Sequence, residues 1–175
     1  MKGLAEQLAA YASYHRHPVN KAIHAVFVPL IVWSLMGLLS FTVWKPSPDY
    51  AIPAALVVSV PVALYYLLLD ASLGIALLCI FTVLLLTSVE LRIAMGGDGW
   101  PGYALFGAIF VVSWIGQVLG HSVWEKRKPA LVDNLFQVLV APLFVAAEAC
   151  FALGLRPKLK HQVEADAAAL RAGAA

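Results

Sequence analysis

Apolar residues along this chain fall into five long runs separated by short polar breaks. A helix needs about 20 mostly apolar residues to cross a bilayer. Four runs reach that length, over residues 22–44, 50–69, 72–89 and 103–123. The breaks between them carry turn chemistry: KPSPD at 45–49, Asp70 with Ser72, and GGDGWPG at 96–102. The fifth run, 131–155, contains Asp133, Asn134, Gln137, Pro142 and Glu148, which predicts a re-entrant or broken helix bending near Pro142. Ahead of the first span, Leu4, Leu8, Tyr11 and His15 form one helical stripe, with Lys2, Glu6, Ser13 and Arg16 away from it. That pattern predicts an amphipathic helix over 3–16 lying at the membrane surface. The expected fold is all-α: a polytopic membrane helical bundle of four spans, this N-terminal helix and the fifth run. It makes one membrane-embedded domain over 1–155, followed by a polar tail with a frayed helix over 156–175.

Composition agrees with the pattern. The chain is 62% hydrophobic and 13% charged, whereas a soluble domain carries about 25% charged residues. A net charge of +2 is too small to argue for a nucleic-acid partner. The placement of the cations says more. Lys2, Arg16 and Lys21 precede the first span, Lys126, Arg127 and Lys128 follow the fourth, and Arg156, Lys158 and Lys160 follow the fifth run. Four spans and a returning fifth run put all three clusters, and both termini, on the cytoplasmic side. Ala-rich sequence with short loops points to a bacterial cytoplasmic membrane. Cys79 and Cys150 lie in apolar runs without CxxC spacing and read as packing residues.

Ionisable groups at membrane depth are costly and face the protein interior. His24 lies about one turn inside the first span, on the face of Asn20, and Pro29 predicts a kink above it by leaving the Ala25 carbonyl without its donor. Gln117, His121 and Glu125 share a face at the end of the fourth span. Gly116 and Gly120 there form a GxxxG, for internal packing or for a dimer. Under this topology His15, His17, His24 and His121 gather at one depth on one side. His17, between Arg16 and Pro18, reads as an interfacial anchor, and His161 as a solvated residue. His15, His24 and His121 together point to a metal site, since neutral imidazole suits Fe, Zn, Cu or Ni. Glu125, Asp133, Asn20, Asn134 and Gln117 are available to orient the rings. Other readings of the same histidines are a b-type haem protein passing electrons, or a non-enzymatic metal- or lipid-binding membrane module. A channel is disfavoured, because the second and third spans lack a polar stripe.

Two stretches, YASYHRHPVNKAIHAVFVPL and GQVLGHSVWEKRKPALVDNLFQVLVAPLFVAAE, resemble the Mpo1-like (YGL010w-like) family. The first matches through Tyr14, His15, Asn20, His24 and Pro29. The second matches through Gln117, Gly120, His121, Glu125, Lys126, Pro129, Ala130, Asp133, Asn134 and Gln137. The resemblance implies an Fe(II)-dependent dioxygenase of fatty acid α-oxidation, which in yeast belongs to the endoplasmic reticulum. Its reaction takes a long-chain 2-hydroxy fatty acid and O2 to the acid one carbon shorter. Carried onto this chain, the resemblance makes His15, His24 and His121 the iron ligands. Glu125, Asn20 and Asn134 are then expected to assist catalysis, with His17, Gln117, Asp133 and Gln137 in a secondary rank. Lys126, Arg127 and Lys21 are the candidates for the substrate carboxylate. An all-His set departs from the usual two-His-one-carboxylate arrangement, which leaves Glu125 as a fourth ligand or as an outer partner.

Overall fold

The computed structural model describes residues 3–47, 50–126 and 136–173. In chain order these form α1 (Leu4–Ala12), α2 (Pro18–Ser40), β1 (Val43–Ser47), β2 (Tyr50–Pro53), α3 (Ala54–Leu69), α4 (Ala71–Ala94), α5 (Trp100–Gly120), a π-helical turn (His121–Glu125), α6 (Gln137–Ala152) and α7 (Pro157–Ala172). The described residues are helical apart from one small hairpin and the connecting turns. Among the described residues, three helices are long and apolar enough to cross a membrane: α2, α4, and α5 with its π turn. Helices α3 and α6 have 16 residues each, roughly 24 Å of helix, shorter than the expected second and fifth runs.

The hairpin explains where two predicted spans lose length. The first helix stops at Ser40 rather than at Trp44, because Thr42, Val43 and Trp44 are β-branched or aromatic and favour extended backbone. Val43 pairs with Pro53 and Trp44 with Ile52 in an antiparallel ladder. The second run therefore yields Tyr50–Pro53 to β2 before α3 starts. The helix does not break at Pro142: α6 is continuous through it. Val140, Ala141, Leu143, Phe144 and Ala147 are all buried around that proline, so packing on both sides carries the helix across its missing hydrogen bond. Pro29 likewise sits inside an uninterrupted α2.

The chain divides into two compact units, one of Met1–Val28 with Gly116–Ala175 and one of Pro29–Ile115. In the first, α1 packs against both α6 and α7. Leu8, Ala9, Tyr11 and Ala12 are buried there, so the stripe expected to face lipid is covered by protein. The helix also ends at Ala12 rather than at Arg16, leaving His15 beyond it. Residues 157–172, expected to fray, form a helix that starts with Pro157 at its first turn and buries Val163 and Ala167.

In the second unit α3 and α4 form a packed helical pair. Asp70 accepts the Leu73 N–H at 3.0 Å and caps α4. Leu64, Leu68, Ile75, Val83 and Leu86 stand exposed along these helices, an apolar surface suited to lipid.

Candidate metal centre

Three short pieces of chain bring the site together. After α1 the backbone makes a tight turn, in which the His15 N–H donates to the Ala12 carbonyl at 3.1 Å. Pro18 then opens α2 and fixes its first turn. His17, just before it, accepts the Val19 N–H on its ring Nδ1 at 3.2 Å and acts as a helix cap. The third piece is the end of α5. A Cβ on Gly116 would lie 2.6 Å from the Phe27 ring, and one on Gly120 would overlap Asn20 Oδ1. The GxxxG thus serves internal packing, letting α5 close on the first turns of α2.

The rings of His15, His24 and His121 meet at this contact. All three are buried, and one ligand atom from each lies within 4.8 Å of the others, as for a group that could hold a metal ion. Ring centroids are 4.3 Å apart for His15 and His24, 4.7 Å for His15 and His121, and 5.1 Å for His24 and His121. His15 Nδ1 donates to the Tyr11 carbonyl at 2.7 Å, and His24 Nδ1 donates to the Asn20 carbonyl at 2.9 Å. Carbonyls only accept, so both rings carry their proton on Nδ1 and turn an Nε2 lone pair inward. Those two Nε2 atoms stand 3.0 Å apart. Two lone pairs at that distance repel unless a cation lies between them. A proton is a poor candidate, because burial, helped by the neighbouring charge of His24, drives the His15 pKa far below its ordinary value. A metal ion fits better. Two nitrogens about 2.1 Å from one ion at a right angle stand about 3.0 Å apart.

Glu125 lies beside this group, with one of its two oxygens engaged elsewhere. Its Oε1 accepts the backbone N–H of Arg16 at 2.7 Å, the N–H of His17 at 2.8 Å and the side-chain amide of Asn20 at 3.1 Å. It therefore ties the His15 turn and the start of α2 to the π turn that carries His121. Asn20 is wholly buried, with Oδ1 unpartnered. Gln117 is buried one turn before His121, and Gln117 Oε1 and His121 Nδ1 are both without a hydrogen-bond partner. Gln137 opens α6, its Oε1 also unpartnered. Lys126 is exposed and ends the π turn in left-handed backbone, φ 50°. Asp133, Asn134 and Arg127 lie outside the described residues. His161 is exposed on α7.

Residues 1–153 match the model of the family described as 2-hydroxy-palmitic acid dioxygenase Mpo1-like. The chain belongs to the Mpo1-like family. It is 36% identical over 164 residues to the 2-hydroxy-palmitic acid dioxygenase MPO1 of Saccharomyces cerevisiae, covering 93% of this chain and 88% of that protein. No solved structure matches.

Three further neighbours line this Mpo1-like site, and the sequence does not tie them to it. The Tyr11 ring stacks on His15 at 4.1 Å and 3°; its place four residues before His15 is the one available sign. Phe144 packs 4.8 Å from Tyr11 and 5.6 Å from His15. Glu148 holds Lys21 through both carboxylate oxygens, at 2.9 and 3.0 Å. Phe144 and Glu148 come from a run more than a hundred residues away; Glu148 is marked there as a carboxylate in apolar sequence, but nothing local pairs it with Lys21 or marks Phe144.

Proposed function

We propose that this Mpo1-like protein is an Fe(II)-dependent dioxygenase that converts a long-chain 2-hydroxy fatty acid and O2 to the acid one carbon shorter. The observation that carries the reading is the pair of inward Nε2 lone pairs 3.0 Å apart, with a third buried histidine beside them. The name of the yeast relative supplies the substrate class. When bound, iron on His15, His24 and His121 supplies open coordination positions for the substrate's oxygens and for O2. Products balance without an external reductant: a 2-hydroxy acid and one O2 contain the atoms of the shortened acid, carbon dioxide and water.

The chain's own residues set up that chemistry. The carbonyls of Tyr11 and Asn20 fix the tautomer and direction of two rings. Glu125 acts as a positioning residue rather than a fourth ligand: its Oε1 takes three N–H donors, and its carboxylate stands outside the group formed by the three histidines. Asn20 links that carboxylate to the His24 helix. An acyl tail can stay in the bilayer while its C1–C2 end meets a site at the cytoplasmic interface of a bacterial membrane, where basic clusters anchor the chain. The edge-to-face contacts among the three rings leave no slot for a flat macrocycle, which favours this reading over a b-type haem protein.

The test is turnover by the purified, iron-loaded protein with 2-hydroxypalmitate. Oxygen uptake matched by chain-shortened acid is the expected result. Metal binding with no oxygen uptake would favour a non-enzymatic module instead, and an intense visible band would favour haem.

A further inference from the structure

Helix α2 carries Lys21 three residues before His24, and Lys21 does not point into empty solvent. Its Nζ sits 2.9 and 3.0 Å from the two oxygens of Glu148, a carboxylate held in the otherwise apolar α6. The same Nζ lies 5.9 Å from the centre of the Phe144 ring, one turn before Glu148. That ring is itself 5.6 Å from the His15 ring. A carboxylate is thus already bound to a fixed ammonium one aromatic ring away from the three histidines. The pair is open to exchange: the two side chains are 35% and 30% exposed.

We propose that Lys21 is the cation that receives the substrate's carboxylate, and that Glu148 fills its place until substrate arrives. The inference rests on the reading of this site as one acting on 2-hydroxy acids. Bidentate contact with Glu148 shows that the ammonium is positioned for a planar two-oxygen anion. A partly exposed ion pair contributes little to stability, so replacing one carboxylate by another keeps the ion pair and releases Glu148 to water. Phe144, itself buried, packs between this ammonium and the His15 ring. Lys126, the other described candidate, is exposed and ends the π turn.

Two measurements on the iron-loaded protein in lipid nanodiscs test this: direct binding of 2-hydroxypalmitate and steady-state turnover. Lys21→Met is expected to weaken binding and raise KM about tenfold, the loss of one charged contact, with kcat little changed. Glu148→Gln is expected to tighten binding and lower KM, and Lys21→Arg to retain most affinity. The matching 1,2-diol, which lacks the carboxylate, is expected to bind both Lys21 proteins alike. A merely structural pair predicts something else: both variants lose melting temperature and kcat with binding unchanged, and that result overturns the proposal. Wild-type turnover with Lys21→Met binding normally overturns this proposal alone. Binding that depends on Lys21 without any turnover preserves it and overturns the dioxygenase reading. A wild-type protein that neither binds nor converts the acid overturns both.

Discussion

The two compact units satisfy their polar groups in opposite ways. In Pro29–Ile115 many serine and threonine hydroxyls bond a carbonyl of their own helix. Thr87, which bonds Val83, also accepts the Trp33 indole N–H at 3.0 Å; Ser34 bonds Leu30, Ser59 bonds Ala55 and Thr82 bonds Leu78, each one turn back. Such bonds let a polar residue sit in an apolar helix without specifying any partner. In the other unit, beside local bonds, several polar contacts join distant sequence. Glu125 holds Arg16 and His17, and Lys21 holds Glu148. The first pattern makes helices suited to lipid, while the second fixes one arrangement of three histidines. Polar contacts spanning more than a hundred residues are found here beside the three histidines, whereas the Trp33–Thr87 contact of the other unit spans 54.

The largest contrast should come from two glycines of α5. Gly120→Val puts a branched side chain where Asn20 stands, and we expect the variant to lose metal binding and activity. Gly107 has open space at its Cβ, so Gly107→Ala should leave both unchanged. Equal effects would show that helix approach is not what assembles the site. Next comes Glu125→Ala, which releases three donors. We expect metal affinity to fall by about 10–100-fold, as for outer partners of metal ligands, and stability by roughly 2–4 kcal/mol. Thr82→Ala in the other unit should shift melting by less than about 0.5 kcal/mol. A Co(II)-substituted Glu125→Gln protein should keep the wild-type absorption spectrum; a changed ligand field would make Glu125 a ligand.

Acid should separate the units more mildly. Burial holds the His15 pKa far below its usual value of about 6.5. The unfolded chain therefore binds more protons below pH 6.5, so the metal-free protein's stability is complete above that pH and falls as pH drops. Melting of the chelator-treated protein between pH 8 and pH 5 measures the slope, which His15→Asn should flatten. The smallest effects belong to His17→Ala and His161→Ala. His17 gives α2 one cap contact and His161 is exposed, so both variants should keep their metal and most of their activity.

How much of this is legible in the sequence depends on whether a signal is local. Asn20 with His24, and Gln117 with His121, are each one helical turn apart, and helical period alone puts each pair on a shared face. Histidine is rare enough at membrane depth that its grouping is legible too. Pro142 misleads, since a proline predicts a break, but burial on both sides of it is a tertiary effect. The ladder of Val43 with Pro53 is hidden for a similar reason, because apolar β-branched residues serve a span or a strand equally well. His15 reaches the expected face by a different route. Its helix ends at Ala12, and a turn, not helical period, aims the ring. The engagement of Glu125 by backbone amides more than a hundred residues away leaves no trace in spacing at all.

The most direct test is the metal content of the purified protein beside its single-histidine variants, measured by elemental analysis after iron loading and desalting. The account predicts about one iron per chain in the wild type, retained in His17→Ala and lost together with turnover in His15→Ala, His24→Ala and His121→Ala. A His24→Ala or His121→Ala protein that keeps its iron and converts 2-hydroxypalmitate normally would contradict it.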